Sequence, residues 1–263
     1  MAAAAAPPQR IASLNLCTDQ LLLALVPPER IASLTWLART DGDLAQRELA
    51  ARLPINRGGA EEILAVHPDL VLAGRYTTAT TRALLRRVGV PMVEVDAALD
   101  WQGIRRVTRE VAAAVGASEQ GEALLARMDA ELATIAALRA PLPVRAIGWS
   151  GAAEDVPGAD TLFNTILTTA GGINLAARPA GGSAFDLETV LRLRPQVLLR
   201  GTSFGEGRAL RSGLANHRAL RALPGLTVID YPEGAWACGI PATATHALEL
   251  ARQLRALPAQ ATP

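Results

Sequence analysis

The 263-residue chain contains no lysine, so all 26 of its basic side chains are arginines, and 25 acidic ones hold the formal net charge at +1. Without a basic block there is no concentrated positive face, which argues against nucleic-acid binding. Long apolar runs are missing too. The longest, Leu21 to Val26, falls far short of the about 20 residues that cross a bilayer. There are only two cysteines, Cys17 and Cys238, and neither sits in a CxxC or zinc-ligand spacing. The histidines His67, His217 and His246 lie apart in sequence and form no cluster, so a metalloenzyme reading has little support. Walker and Gly-x-Gly-x-x-Gly motifs are also absent.

Half of the residues are apolar and 19% are charged, the balance of a chain that folds around a core. Met1 to Pro8, rich in alanine and proline, reads as what is left after an export signal is cut away; an untidy cytosolic N-terminus is the alternative.

The most informative feature is an internal repeat. Glu61 to Gly74 (EEILAVHPDLVLAG) matches Glu188 to Gly201 (ETVLRLRPQVLLRG) at a constant offset, sharing the leading glutamate, the apolar pair, the proline, the apolar triplet and the final glycine. Each copy reads as a short helix ended by proline, then a strand buried on both faces of a parallel sheet, then a loop. Leu84 to Val95 pairs in the same way with Leu220 to Asp230. Arg10 to Leu14 and Arg30 to Leu34 are near-identical strands around a helical stretch, Asp19 to Leu25. The fold class is therefore α/β: two Rossmann-like βαβ lobes with parallel sheets. Ser118 to Arg139 has helical apolar spacing and no proline, and about 22 residues make a helix of roughly 33 Å. The expected division is a flexible tail at 1–9, an N-terminal lobe at 10–117, a joining backbone helix at 118–140 and a C-terminal lobe at 141–263. A ligand would occupy the groove between the lobes, lined by loops at the carboxyl ends of the strands.

With only nine aromatic residues, their placement carries weight. Trp36, Tyr76, Trp149, Phe204 and Trp236 each follow a predicted strand, as aromatic walls for a flat or greasy ligand would. Arg39, Arg57, Arg75 and Arg200 occupy similar loops, next to Asn56, and their guanidinium groups suit carboxylate, phosphate or catecholate oxygens. Cys17 and Cys238 also fall in such loops. Free thiols, one long-range disulfide and contact with a soft metal all remain open for them. A competing class is a cysteine-dependent α/β hydrolase or transferase using Cys17. That cysteine would need a base and an orienting group, and Asp19 reads better as a helix cap before Gln20 to Leu25.

Taken in order, Arg10 to Trp36, Glu61 to Val71, the joining helix, Glu188 to Leu199 and Trp236 to Leu250 resemble the periplasmic cobalamin and ferric-siderophore binding proteins of ABC importers. The resemblance implies a monomeric periplasmic receptor that performs no chemistry on its cargo, whether cobalamin, haem or a ferric siderophore. It also implies that Glu61 and Glu188, one per lobe, dock on arginines of the membrane permease dimer. Trp36 matches an aromatic that contacts ligand in cobalamin binders, whereas Ile55 and Gly74 stand where those binders typically carry tryptophan. Haem-binding relatives hold iron with tyrosine or histidine, and Tyr76 is the matching candidate here.

Overall fold

Residues 6–41, 44–138, 143–149, 156–177, 187–202 and 217–257 are described by a computed structural model. The chain divides into two compact units, Met1–Ala126 with Cys238–Pro241 and Arg127–Ala237 with Ala242–Pro263. The boundary falls inside one continuous helix.

The first unit runs β1 (Ile11–Ser13), α1 (Leu16–Leu25), β2 (Ile31–Thr35), α2 (Leu44–Ala50), β3 (Ile55–Asn56), α3 (Ala60–Ala65), β4 (Leu70–Gly74), α4 (Ala79–Val88), β5 (Met92–Val95) and α5 (Trp101–Ala114). The helix α6 (Ser118–Ala137) follows and passes from one unit into the other. The second unit contains β6 (Val144–Trp149), α7 (Leu162–Thr169), β7 (Gly172–Asn174), α8 (Leu187–Leu193), β8 (Val197–Thr202), α9 (Arg218–Arg221), β9 (Thr227–Pro232), α10 (Glu233–Trp236) and α11 (Thr243–Arg255).

All strand pairs are parallel, in the orders β3-β2-β1-β4-β5 and β7-β6-β8-β9. Continuous apolar runs account for this. Every residue of β4 is buried, as expected of a central strand covered by helices on both faces. In the first unit α1 packs with α2 and α5 while α3 packs with α4, which is the two-sided arrangement of a doubly wound sheet.

The repeat is visible atom by atom. Proline cannot donate and disfavours helix in the residue before it. The helix stops ahead of each proline, and His67 and Arg194, the residues before Pro68 and Pro195, turn left-handed in both copies, with φ of 44° and 46°. Asp69 then accepts from the N–H groups of Gln9 and Arg10 at 2.6 and 3.0 Å, and Gln196 accepts from the Arg145 N–H at 2.8 Å. The guanidinium groups of Arg10 and Arg145 reach back to the freed carbonyls of Val66 and Leu193. Each clasp satisfies a helix end and fixes the register of the central strand beside it. Above the clasps, Ile63 and Val71 in one core match Val190 and Leu198 in the other.

Cys17 and Cys238 form a disulfide, with Cα atoms 5.0 Å apart. This closes the thiol-contact reading, and with it the hydrolase or transferase reading, because a bonded sulfur is no nucleophile. It also corrects the assignment of Cys238 to the C-terminal lobe. The segment Cys238–Pro241 is buried in the first unit, and a Cβ on Gly239 would stand 2.2 Å from the Ala98 carbonyl oxygen.

A bond spanning 221 residues removes much unfolded-state freedom. Cys17→Ala with Cys238→Ala is expected to cost up to about 5 kcal/mol of stability. Urea unfolding of the oxidised protein and of this variant measures the difference, and a loss below about 1 kcal/mol would contradict the expectation.

Candidate ligand-binding site

In a parallel sheet every strand ends at the same edge, so the loops gather there. In the first unit the edge carries, in spatial order, Arg57 after β3, Trp36 after β2, Cys17 past β1, Arg75 and Tyr76 after β4, and Leu99 past β5. Trp36 is 47% exposed and Tyr76 80%, unusual values for large side chains beside a core. Leu99 and Ile55 are exposed as well. Arg57 and Arg75 are exposed, and among the described residues their guanidinium groups have no partner. Strands lie about 4.8 Å apart, so the Trp36 and Tyr76 turns start roughly 10 Å from each other and Arg57 and Arg75 roughly 14 Å.

A buried polar layer fixes these turns from below. Asn15 caps α1 by accepting the Cys17 N–H at 2.9 Å. Its side chain fills the space beside Gly74, where an added Cβ would stand 2.7 Å from it. That contact explains why the tryptophan typical of cobalamin binders is not accommodated at position 74. Thr77 Oγ1 donates to the Leu14 carbonyl and accepts from the Gly74 N–H, closing the turn that displays Arg75 and Tyr76. The two N–H groups of the Asn56 amide are shared among three acceptors, Ser13 O, Ser33 Oγ and Leu34 O, at 2.9 to 3.0 Å, and its oxygen accepts from the Gly58 N–H. Asp19, fully buried, accepts from the Thr35 N–H at 3.1 Å and from the Thr35 hydroxyl.

Several expected contacts have other employment. Asn56 is buried, and its amide ties three strands together. Arg39 lies in the 3-10 turn Trp36–Arg39 and donates to the carbonyls of Ala50 and Leu53. Arg200 is on β8 and makes a two-bond pair with Asp230, which raises the guanidinium pKa and lowers that of the carboxyl group. Trp149, 2% exposed, belongs to the core of the second unit. Trp236, 7% exposed, packs on Tyr231 and Phe163 with centroids 4.6 and 5.7 Å apart, and lines a shallow cavity with His246 and Glu249. Cys17 sits in the first turn of α1, which starts at Leu16. Asn15 is therefore the cap and Asp19 is not. Phe204 lies outside the described residues.

The acidic pair falls on matching helices. Glu61 is exposed on α3 and Glu188 on α8. Its neighbour Glu62 is used internally, accepting from the N–H groups of Arg57 and Gly59.

A family model described as a periplasmic binding protein matches residues 11–226. Among solved structures, a periplasmic haem-binding protein from Roseiflexus sp. RS-1 superposes with a TM-score of 0.79 at 26% identity, covering 94% of this chain and 98% of that one. A periplasmic haem-binding protein from Pseudomonas aeruginosa gives 0.75 at 19% identity, with 97% and 96% covered. The periplasmic vitamin B12 binding protein of Vibrio cholerae gives 0.71 at 17%, with 97% and 99% covered. No curated protein sequence matches the chain.

Burial raises the Asp19 carboxyl pKa to about 7, against the lowering effect of its hydrogen bonds to Ser13 and Thr35. Between the ordinary carboxylate range and pH 7 the folded state holds a proton that the unfolded state has released, so stability falls as pH rises through that window. Asp19→Asn removes the ionisation. It should raise the unfolding free energy at about pH 8 by at most about 4 kcal/mol and leave it nearly unchanged near pH 4. Thermal unfolding across this range checks the sign; a variant destabilised more at high pH than at low pH would refute it.

Proposed function

Because the chain belongs to the periplasmic binding protein family, we propose that it is the periplasmic receptor of an ABC importer and that its cargo is haem. The observation that carries this reading is the carboxyl edge of the first sheet, where two exposed aromatic side chains, Trp36 and Tyr76, stand with two exposed arginines, Arg57 and Arg75. The aromatic faces cover a flat macrocycle, and the guanidinium groups meet its propionate carboxylates. Cobalamin carries amides where haem carries carboxylates, so arginines favour the haem reading. The Roseiflexus haem-binding protein, at 26% identity, agrees with it.

Capture requires no bond to be made or broken in the cargo's organic framework. The Tyr76 phenol oxygen, a hard donor, suits ferric iron as an axial ligand. Glu61 and Glu188 are equivalent exposed acids on equivalent helices, and each meets one subunit of a two-fold permease.

Titration with haemin should produce a shifted Soret band at one-to-one stoichiometry. Tyr76→Phe should abolish the tyrosinate charge-transfer band and weaken binding about tenfold or more, and Arg57→Ala with Arg75→Ala about fivefold or more. Tight binding of cyanocobalamin with indifference to haemin would overturn the assignment. For delivery, Glu61→Arg and Glu188→Arg should each leave the haemin Kd unchanged while uptake through the permease falls about tenfold or more. Undiminished uptake in both variants would remove the docking role.

A further inference from the structure

Beneath the exposed edge lies a carboxyl group for which capture, as described, has no use. Asp19 is 0% exposed on α1, yet both of its oxygens are engaged by one residue, Thr35, through the backbone N–H and the side-chain hydroxyl. Thr35 is the last residue of β2 and directly precedes Trp36, the first residue of the 3-10 turn. The far end of that turn is also anchored, by Arg39 on the carbonyls of Ala50 and Leu53. The indole thus stands on a short segment pinned at both ends, and the pin nearer to it is an ionisable group.

We propose that Asp19 is a positioning residue for ligand capture, setting through Thr35 where the Trp36 indole stands, so that its ionisation state adjusts the aromatic face offered to the cargo. This rests on the reading of Trp36 as a ligand contact. An ionised carboxylate accepts both Thr35 hydrogens and the Ser13 hydroxyl; once protonated it becomes a donor at one oxygen, and one of the hydroxyls facing it, Thr35 in this proposal, reverses its role. Exchange of two acceptor positions for one acceptor and one donor changes the restraint on Thr35 without changing the shape of the side chain.

The surroundings leave this equilibrium to Asp19 itself. Among the elements packed on α1, β1 offers the Ser13 hydroxyl and β2 offers Thr35. The strand β4 carries no charged residue. Arg39 of the 3-10 turn is turned to carbonyl groups, and on α2 Arg47 acts on Asp41 while Glu48 is exposed. On α5, Arg105 donates to the Trp101 carbonyl and Arg109 pairs with Glu122. Burial alone is the largest influence on the group, and it brings titration close to neutrality.

The test uses the whole oxidised protein labelled with 5-fluorotryptophan, with the Trp36 fluorine resonance assigned from Trp36→Phe. In the ligand-free wild type this resonance should move with a midpoint near pH 7. In Asp19→Asn it should stay at the wild-type acid position at every pH, with a native circular dichroism spectrum. Thr35→Val, which lacks the hydroxyl, should flatten the titration in the same way. Haemin affinity should be about tenfold weaker in Asp19→Asn than in wild type at about pH 8.5 and equal to it at about pH 5.5. A Trp36 resonance that ignores both pH and Asp19→Asn overturns the proposal. A resonance that responds as stated in a protein indifferent to haemin upholds the positioning role and sinks the haem assignment instead.

Discussion

Every strand pairing in both sheets is parallel, and most of what is distinctive about the chain follows from that constraint. A parallel neighbour can be reached only by a crossover, so each strand delivers its carboxyl end to the same edge and hands over to a helix behind it. In the order β3-β2-β1-β4-β5 the crossovers reverse direction between β1 and β4, and the two loops there diverge. Asn15 and Gly74 face each other at that point, so closely that position 74 admits no side chain. The chemistry-bearing groups then follow within two or three residues: Cys17 on one side, Arg75 and Tyr76 on the other. Topology sets these strand-end loops beside one another, which their local sequence signals alone do not.

The buried polar groups under this edge are expensive by the standards of a core. An apolar layer in place of Ser13, Ser33, Asn56 and Asp19 would avoid the desolvation of hydroxyl, amide and carboxyl groups. What the polar layer supplies is direction. The Asn56 amide is satisfied where Ser13, Ser33 and Leu34, on two neighbouring strands, converge on its nitrogen, and such a network favours one register. The edge beneath Trp36 and Tyr76 is thus held by hydrogen bonds as well as by side-chain packing.

The architecture is largely legible in the sequence because it depends on patterns that repeat. Pro68 and Pro195 end helices for a reason intrinsic to proline, the apolar triplets behind them admit one reading, and the offset between the halves exposes the duplication. The site is less legible, because its groups are defined by facing. Asn56 and Arg57 are adjacent and both polar, yet one is buried and the other exposed; β3 is only two residues long, too short for alternation to say which. Trp149 ends an apolar run that stays buried to its last residue, so continuity of the run outweighed its position at a strand end. Asn15 and Asp19 are equally good caps by residue type, and only the helix start at Leu16 separates them. The partner of Cys17 lies 221 residues away, a distance at which spacing carries no information.

That same bond changes what kind of object the polypeptide is. Residues 17 to 238 form a closed covalent loop, with β1 before it and α11 after it. A single peptide cleavage at any position within the loop opens the ring but severs nothing, since the two fragments stay joined through sulfur. Two cuts are needed before a piece is lost. Against proteolysis the cross-link therefore preserves connectivity, independent of whatever it contributes to the folding equilibrium.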